Sequence, residues 1–210
     1  MSVLYRKEIE RRLKLHLDDL ESIVITPRLD EKFDHDSVDL RMGCYFRVPA
    51  VTTIECVKPY QDTVEHYPEL VHKPYRRDRK KGVKEGAEEM EGDNAESTII
   101  LQPHHAVLAS TLEYIKMPGD VSGEILTKSS WARIFISIAS APWIHPFFRG
   151  CLTLEVTNLG NVPVALPVGK PMAQLVFIKL ELEEEDKIKK DVIEGSYAGS
   201  VMPEAPKFKA

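Results

Sequence analysis

The chain has 210 residues, 43% hydrophobic and 29% charged, with a net charge of −5. That length carries one domain with a substantial core. The acidic balance argues against broad nucleic-acid binding, which needs a basic face. Its three cysteines, Cys44, Cys56 and Cys151, are widely spaced and no CxxC occurs. Neither a disulfide framework nor a structural zinc site is expected. Met1–Glu21 is charged throughout, and no apolar run is long enough to span a bilayer, so the expectation is a cytoplasmic protein with no membrane partner.

In chain order, Val3, Leu4, Ile9, Leu13, Leu17 and Leu20 roughly follow helical spacing. They predict an amphipathic helix over 3–21, within an N-terminal helical segment 1–22. Thr26-Pro27 closes any helix before it. Ser37–Val48 has strand character, with a turn at Gly43. Lys73–Glu96 is a basic block followed by an acidic one. It reads either as a solvated insertion or as an arm for phosphate or a partner.

After Ser97 the pattern is all β. Apolar runs recur at Thr98–Leu101, Ala106–Ile115, Gly123–Leu126, Ile134–Ala139, Cys151–Asn158, Val162–Leu166 and Ala173–Leu180, with turn residues between them. Short, closely spaced strands predict a barrel, sandwich or jelly roll. Glu181–Lys190 is charged and helix-compatible. The tail, 195–210, carries no core pattern of its own. The whole chain, 1–210, reads as a single domain.

Three segments could carry chemistry. Thr127–Arg133 places two hydroxyls, a lysine and an arginine just after a strand. That set suits a triphosphate. It equally suits a polar turn opening a helix, with Ser129 or Ser130 as N-cap, and a helix N-terminus is itself an anion site. In Gly150–Asn158, strand alternation puts Cys151, Thr153, Glu155 and Thr157 on one face and Leu152, Leu154 and Val156 on the other. Glu155 is then either exposed or aimed into an enclosed pocket, where a carboxylate can shuttle protons. Trp143–Gly150 surrounds His145 and Arg149 with aromatic residues. It is either a packed corner or the wall of a nucleoside pocket.

Together these segments resemble the dCTP deaminase and dUTPase superfamily, and dCTP deaminases most. Lys128–Arg133 is similar to the RSSLAR motif of dCTP deaminases. Ile144–Gly150 resembles IDPGWSG there and IDSDYRG in dUTPases. Cys151–Asn158 resembles GCIVLEFYN, and Gly169–Leu175 the later glycine-to-glutamine turn and strand. Ser37–Gly43 matches SVDLRLG. Thr111–Glu113 and Met117–Asp120 match TLE and LPDD. Ser196–Ser200 resembles the C-terminal segment that closes over the nucleotide. The resemblance covers about residues 37–48 and 98–180.

The resemblance implies a mainly β, dUTPase-like distorted β-barrel or jelly roll with a short N-terminal helix. It implies a homotrimer and hydrolytic deamination of dCTP to dUTP, with Mg2+ bound through the triphosphate and no zinc. Lys128, Ser129 and Ser130 would hold phosphates, Lys128 replacing an arginine and losing its bidentate fork. Arg133 would position and polarise the attacking water. Glu155 would activate that water and pass its proton to the departing amine. The Ala141 carbonyl would orient the water. Gln174 would lie near ribose and phosphates, His145 would line the sugar site, and Tyr197 would belong to the closing segment. The HxE and PCxxC that zinc deaminases need are absent. His145 stands where both branches carry aspartate, which argues against a pure dUTPase. The alternatives are a catalytically weak nucleotide-binding or regulatory homologue, and a bifunctional dCTP deaminase-dUTPase or dUTP diphosphatase.

Overall fold

The computed structural model describes residues 2–28, 35–49, 69–73, 97–138, 141–181 and 199–204. Three expectations fall largely outside these residues: the 73–96 insertion beyond Lys73, the helix-compatible stretch after Glu181, and Tyr197. Twelve strands and two helices are described: β1 (Ser2–Val3), α1 (Arg6–Leu13), β2 (Val24–Thr26), β3 (Ser37–Val48), β4 (Glu69–His72), β5 (Thr98–Leu101), β6 (Ala106–Lys116), β7 (Val121–Thr127), α2 (Ser129–Ala132), β8 (Ile136–Ser137), β9 (Trp143–Ile144), β10 (Arg149–Asn158), β11 (Val164–Pro167) and β12 (Pro171–Lys179). No helix among the described residues is long and apolar enough to cross a membrane.

The main sheet runs β8-β10-β6-β3-β12-β7-β9, with β1 on β12, β2 on β6 and β4 on β3; β5 and β11 form a separate pair. The ladders are antiparallel. β3 lets the sheet curl. Residues from Ser37 to Arg41 pair with β12, and residues from Met42 onward pair with β6 and β4. A register shift lies between Met42 and Phe46. The turn expected at Gly43 is therefore a bulge inside one continuous strand, which bends and twists the chain without reversing it. Gly43 belongs there because a Cβ would lie 2.7 Å from the Ser110 carbonyl oxygen.

Alternation builds the core. On β10 every second residue, from Gly150 through Leu152, Leu154, Val156 and Asn158, is buried. These pack with Leu40, Met42 and Phe46 of β3, Val107 and Ala109 of β6, and Leu175 and Phe177 of β12. Each buried Val, Leu, Met or Phe side chain among them contributes roughly 1.5–3 kcal/mol.

The N-terminal helix is shorter than its apolar spacing suggests. Val3 is in β1, α1 ends at Leu13, and Leu17 and Leu20 are exposed. Local hydrogen bonds reverse the chain. Glu21 N–H donates to Asp19 Oδ1 at 2.8 Å, and the Ser22 hydroxyl donates to Asp19 O at 2.9 Å. Such side-chain and turn bonds compete with helix continuation. Buried Arg12 anchors α1, donating from Nη1 and Nη2 to Asp120 at 2.7 and 2.6 Å and from Nε to Glu8 at 2.8 Å. Of the strand expected over Ile134–Ala139, Ala139 lies outside the described residues and the rest shrinks to β8. Ile134 and Phe135 form an exposed turn after α2, with Phe135 at φ 63°.

A second buried pair spans the main sheet. Glu113 accepts from the Arg41 backbone N–H at 2.9 Å and from Arg41 Nε at 2.5 Å. Burial pushes the Glu113 carboxyl above its ordinary value, against the pull of Arg41.

Candidate active site

Strand β7 delivers the Lys128–Arg133 segment to the mouth of the sheet. The Lys128 N–H donates to Met172 O at 3.1 Å, and Trp131 Nε1 donates to Pro171 O at 3.0 Å. Both bonds pin the segment to the start of β12. Thr127 Oγ1 accepts from the Ile138 N–H at 2.8 Å, closing the loop behind it. Ser129, Ser130 and Arg133 are exposed around one short turn. The helix is only four residues long. A macrodipole needs more aligned peptides than that, so anion binding at this segment would have to rest on its side chains and local N–H groups.

Lys128 is not free. Its Nζ donates to Asp39 Oδ1 at 2.5 Å. Asp39 lies opposite Gln174 in the β3–β12 ladder, and Gln174 lies opposite Leu126 in the β12–β7 ladder. Adjacent strands thus gather Lys128, Asp39 and Gln174. The sequence singled out Lys128 and Gln174 but not Asp39, because only strand pairing brings residues 39 and 128 together.

Glu155 and Ala141 also meet. The Ala141 N–H donates to Glu155 Oε2 at 3.0 Å. Next to Ala141, the Pro142 carbonyl accepts from the Ile125 N–H at 2.9 Å. The loop is therefore strung between β7 and the Glu155 carboxylate. Glu155 is half-buried on the face of β10 that alternation assigned to it, along with Cys151, Thr153 and Thr157. Burial raises the Cys151 thiol above its ordinary value, so Cys151 is a poor nucleophile beside that face. Among the described residues no hydrogen bond joins Glu155 to Ser129 or Arg133.

His145 opens a tight turn and is exposed. The Phe148 N–H donates to His145 O at 3.3 Å, and the Phe147 N–H donates to Pro118 O at 3.4 Å. Phe147 has φ 63°, and its ring lies against Gly119, where a Cβ would sit 2.3 Å from Cζ. The glycine of IDPGWSG is thus replaced by a phenylalanine held in a left-handed conformation that favours glycine. Phe147 packs on Gly119 and Phe148 against the core, while Trp143 and His145 are exposed.

The C-terminal segment returns to this region. The Cys151 N–H donates to Ser200 O at 2.8 Å, and Arg47 Nε donates to Pro203 O at 2.6 Å. The Glu204 N–H donates to Thr153 Oγ1 at 3.3 Å, on the same strand face as Glu155.

Comparison with known proteins shows the family and the fold. Residues 3–180 match the dCTP deaminase-like family. The chain belongs to that family. It is 30% identical over 212 residues to the "dCTP deaminase, dUMP-forming" of Methanosphaera stadtmanae, covering 100% of this chain and 95% of the relative. It is 34% identical over 180 residues to the protein of the same name in Nanoarchaeum equitans, covering 84% and 86%. A solved 2'-deoxycytidine 5'-triphosphate deaminase from Agrobacterium tumefaciens shares the fold, with a TM-score of 0.56 at 18% identity; the match covers 88% of this chain and 51% of that one. The family assignment and the mainly β fold thus agree with the sequence motifs. The relatives' names differ from the implied product, since they specify dUMP and not dUTP.

Proposed function

We propose that this member of the dCTP deaminase-like family deaminates dCTP hydrolytically and releases dUMP. One observation carries the chemistry: the Glu155 carboxylate and Ala141, the two residues the motifs put on the attacking water, meet at 3.0 Å. Glu155 takes a proton as water adds to C4 of the cytosine ring. It returns a proton to the amino group, which leaves as ammonia. The Ala141 N–H holds the carboxylate in place, and the Ala141 carbonyl orients the water. Arg133 polarises the water. Gln174 lies near the ribose and phosphates, His145 lines the sugar site, and Tyr197 belongs to the closing segment.

Lys128, Ser129 and Ser130 receive the triphosphate. A lysine and two hydroxyls suit phosphate oxygens better than a bare divalent ion. The set therefore fits magnesium carried by the nucleotide, where it neutralises phosphate charge. No zinc is invoked. The balanced conversion is dCTP plus two waters to dUMP, ammonia and pyrophosphate. The dUMP product rests on the names of the relatives that match most of this chain. A homotrimer, three copies of a 23.8 kDa chain, completes the proposal, and light scattering tests it. The substrate is a free nucleotide and not a nucleic acid.

Incubating the protein with dCTP and magnesium, then separating products, tests the reading. Appearance of dUMP and pyrophosphate supports it. Accumulation of dUTP overturns the second hydrolysis and keeps deamination. Bound but unconverted dCTP favours the catalytically weak homologue, the reading that His145 in place of the family aspartate supports.

A further inference from the structure

Lys128 stands in the candidate phosphate site already paired. Its Nζ lies 2.5 Å from Asp39 Oδ1, with the lysine side chain 26% and the aspartate 34% exposed. Asp39 is fixed on β3 opposite Gln174, and the Lys128 N–H is fixed to Met172 of β12. A carboxylate therefore sits among the residues assigned to a polyphosphate, with the same sign of charge as that ligand. We propose that Asp39 is an intramolecular counter-anion that competes with polyphosphate for Lys128 and so limits how tightly the site grips phosphate chains.

The inference rests on the reading of Lys128 as a phosphate ligand. A half-solvated ion pair is weak, so a ligand with several negative charges can take over the ammonium. The ligand has to break this pair before the ammonium can serve it, and that cost weakens binding. The residue type suits the exchange. An ammonium on a flexible stem can swing from one anion to another, whereas the guanidinium of the RSSLAR motif would hold Asp39 in a two-point clasp. Grip on the phosphates that is equal before and at the transition state does not raise kcat. Loosening it favours release of pyrophosphate.

The test uses the full chain with inorganic tripolyphosphate as probe, at fixed magnesium and ionic strength. Calorimetry compares wild type, Asp39→Asn, Lys128→Gln and the double variant. Asp39→Asn should bind tripolyphosphate roughly threefold to tenfold more tightly. Most of that gain should vanish in the Lys128→Gln background. Unchanged or weaker binding by Asp39→Asn with a native unfolding transition overturns the proposal, as does an equal gain in both backgrounds. Asp39→Ser serves if the asparagine variant does not fold. If wild type and Lys128→Gln bind tripolyphosphate equally, the phosphate role of Lys128 fails first, and the counter-anion role falls with it.

Discussion

Glu155→Gln separates chemistry from architecture at one atom. Glu155 sits on β10 opposite Leu108 of β6, half-buried, and its Oε2 accepts from the Ala141 N–H at 3.0 Å. Glutamine keeps an oxygen that can accept this bond. The fold should lose no more than about 1 kcal/mol, the net worth of one such hydrogen bond. The amide cannot take up the water's proton. A positioned proton shuttle contributes about 10²–10⁴-fold, or roughly 3–5 kcal/mol of barrier. Single-turnover deamination should therefore fall by at least about 100-fold, while dCTP binding by calorimetry and the unfolding midpoint stay close to wild type. Glu155→Ala should lose the rate and also release Ala141, weakening nucleotide binding. Turnover in Glu155→Gln within about tenfold of wild type would refute the shuttle role.

Further outcomes follow from the packing. His145→Asp should preserve deamination and raise dUMP formation, read by product separation; loss of the folded state would instead make His145 part of the packed corner. Glu113→Ala strands the Arg41 guanidinium, which is 8% exposed, and should cost about 3–5 kcal/mol in denaturant unfolding. Gly119→Ala drives a methyl into the Phe147 ring and should cost about 1–3 kcal/mol with a disturbed near-ultraviolet signal. Arg11 and Arg12 hold the Glu8 carboxyl down at about 2, from an ordinary 4.5. Its contribution is therefore complete above pH 4.5 and lost as pH falls towards 2. Solvent screening keeps that contribution to about 1 kcal/mol. Glu8→Gln should flatten the acid limb of the stability profile.

Period-two alternation and turn residues made much of the β architecture legible. β5 matches its apolar run, and β10 presents the face that alternation assigned to Glu155. Short-range motifs marked Lys128–Arg133 and Glu155 because their residue types are chemically unusual at that spacing. The same local logic overran α1. Apolar spacing continued to Leu20, but hydrogen bonds from Ser22 and Glu21 to Asp19 turned the chain back into β2.

Sequence alone thus determined the fold class, the family resemblance and the residues that carry reactive groups, since these depend on periodicity and local chemistry. Tertiary structure decided which groups meet. Asp39 reaches Lys128 across 89 positions through the β3–β12–β7 ladders, and Glu155 reaches Ala141 because the loop is strung from β7. Strand register sets the first contact and the hydrogen bond from Ile125 of β7 to Pro142 sets the second, and both are properties of the folded sheet.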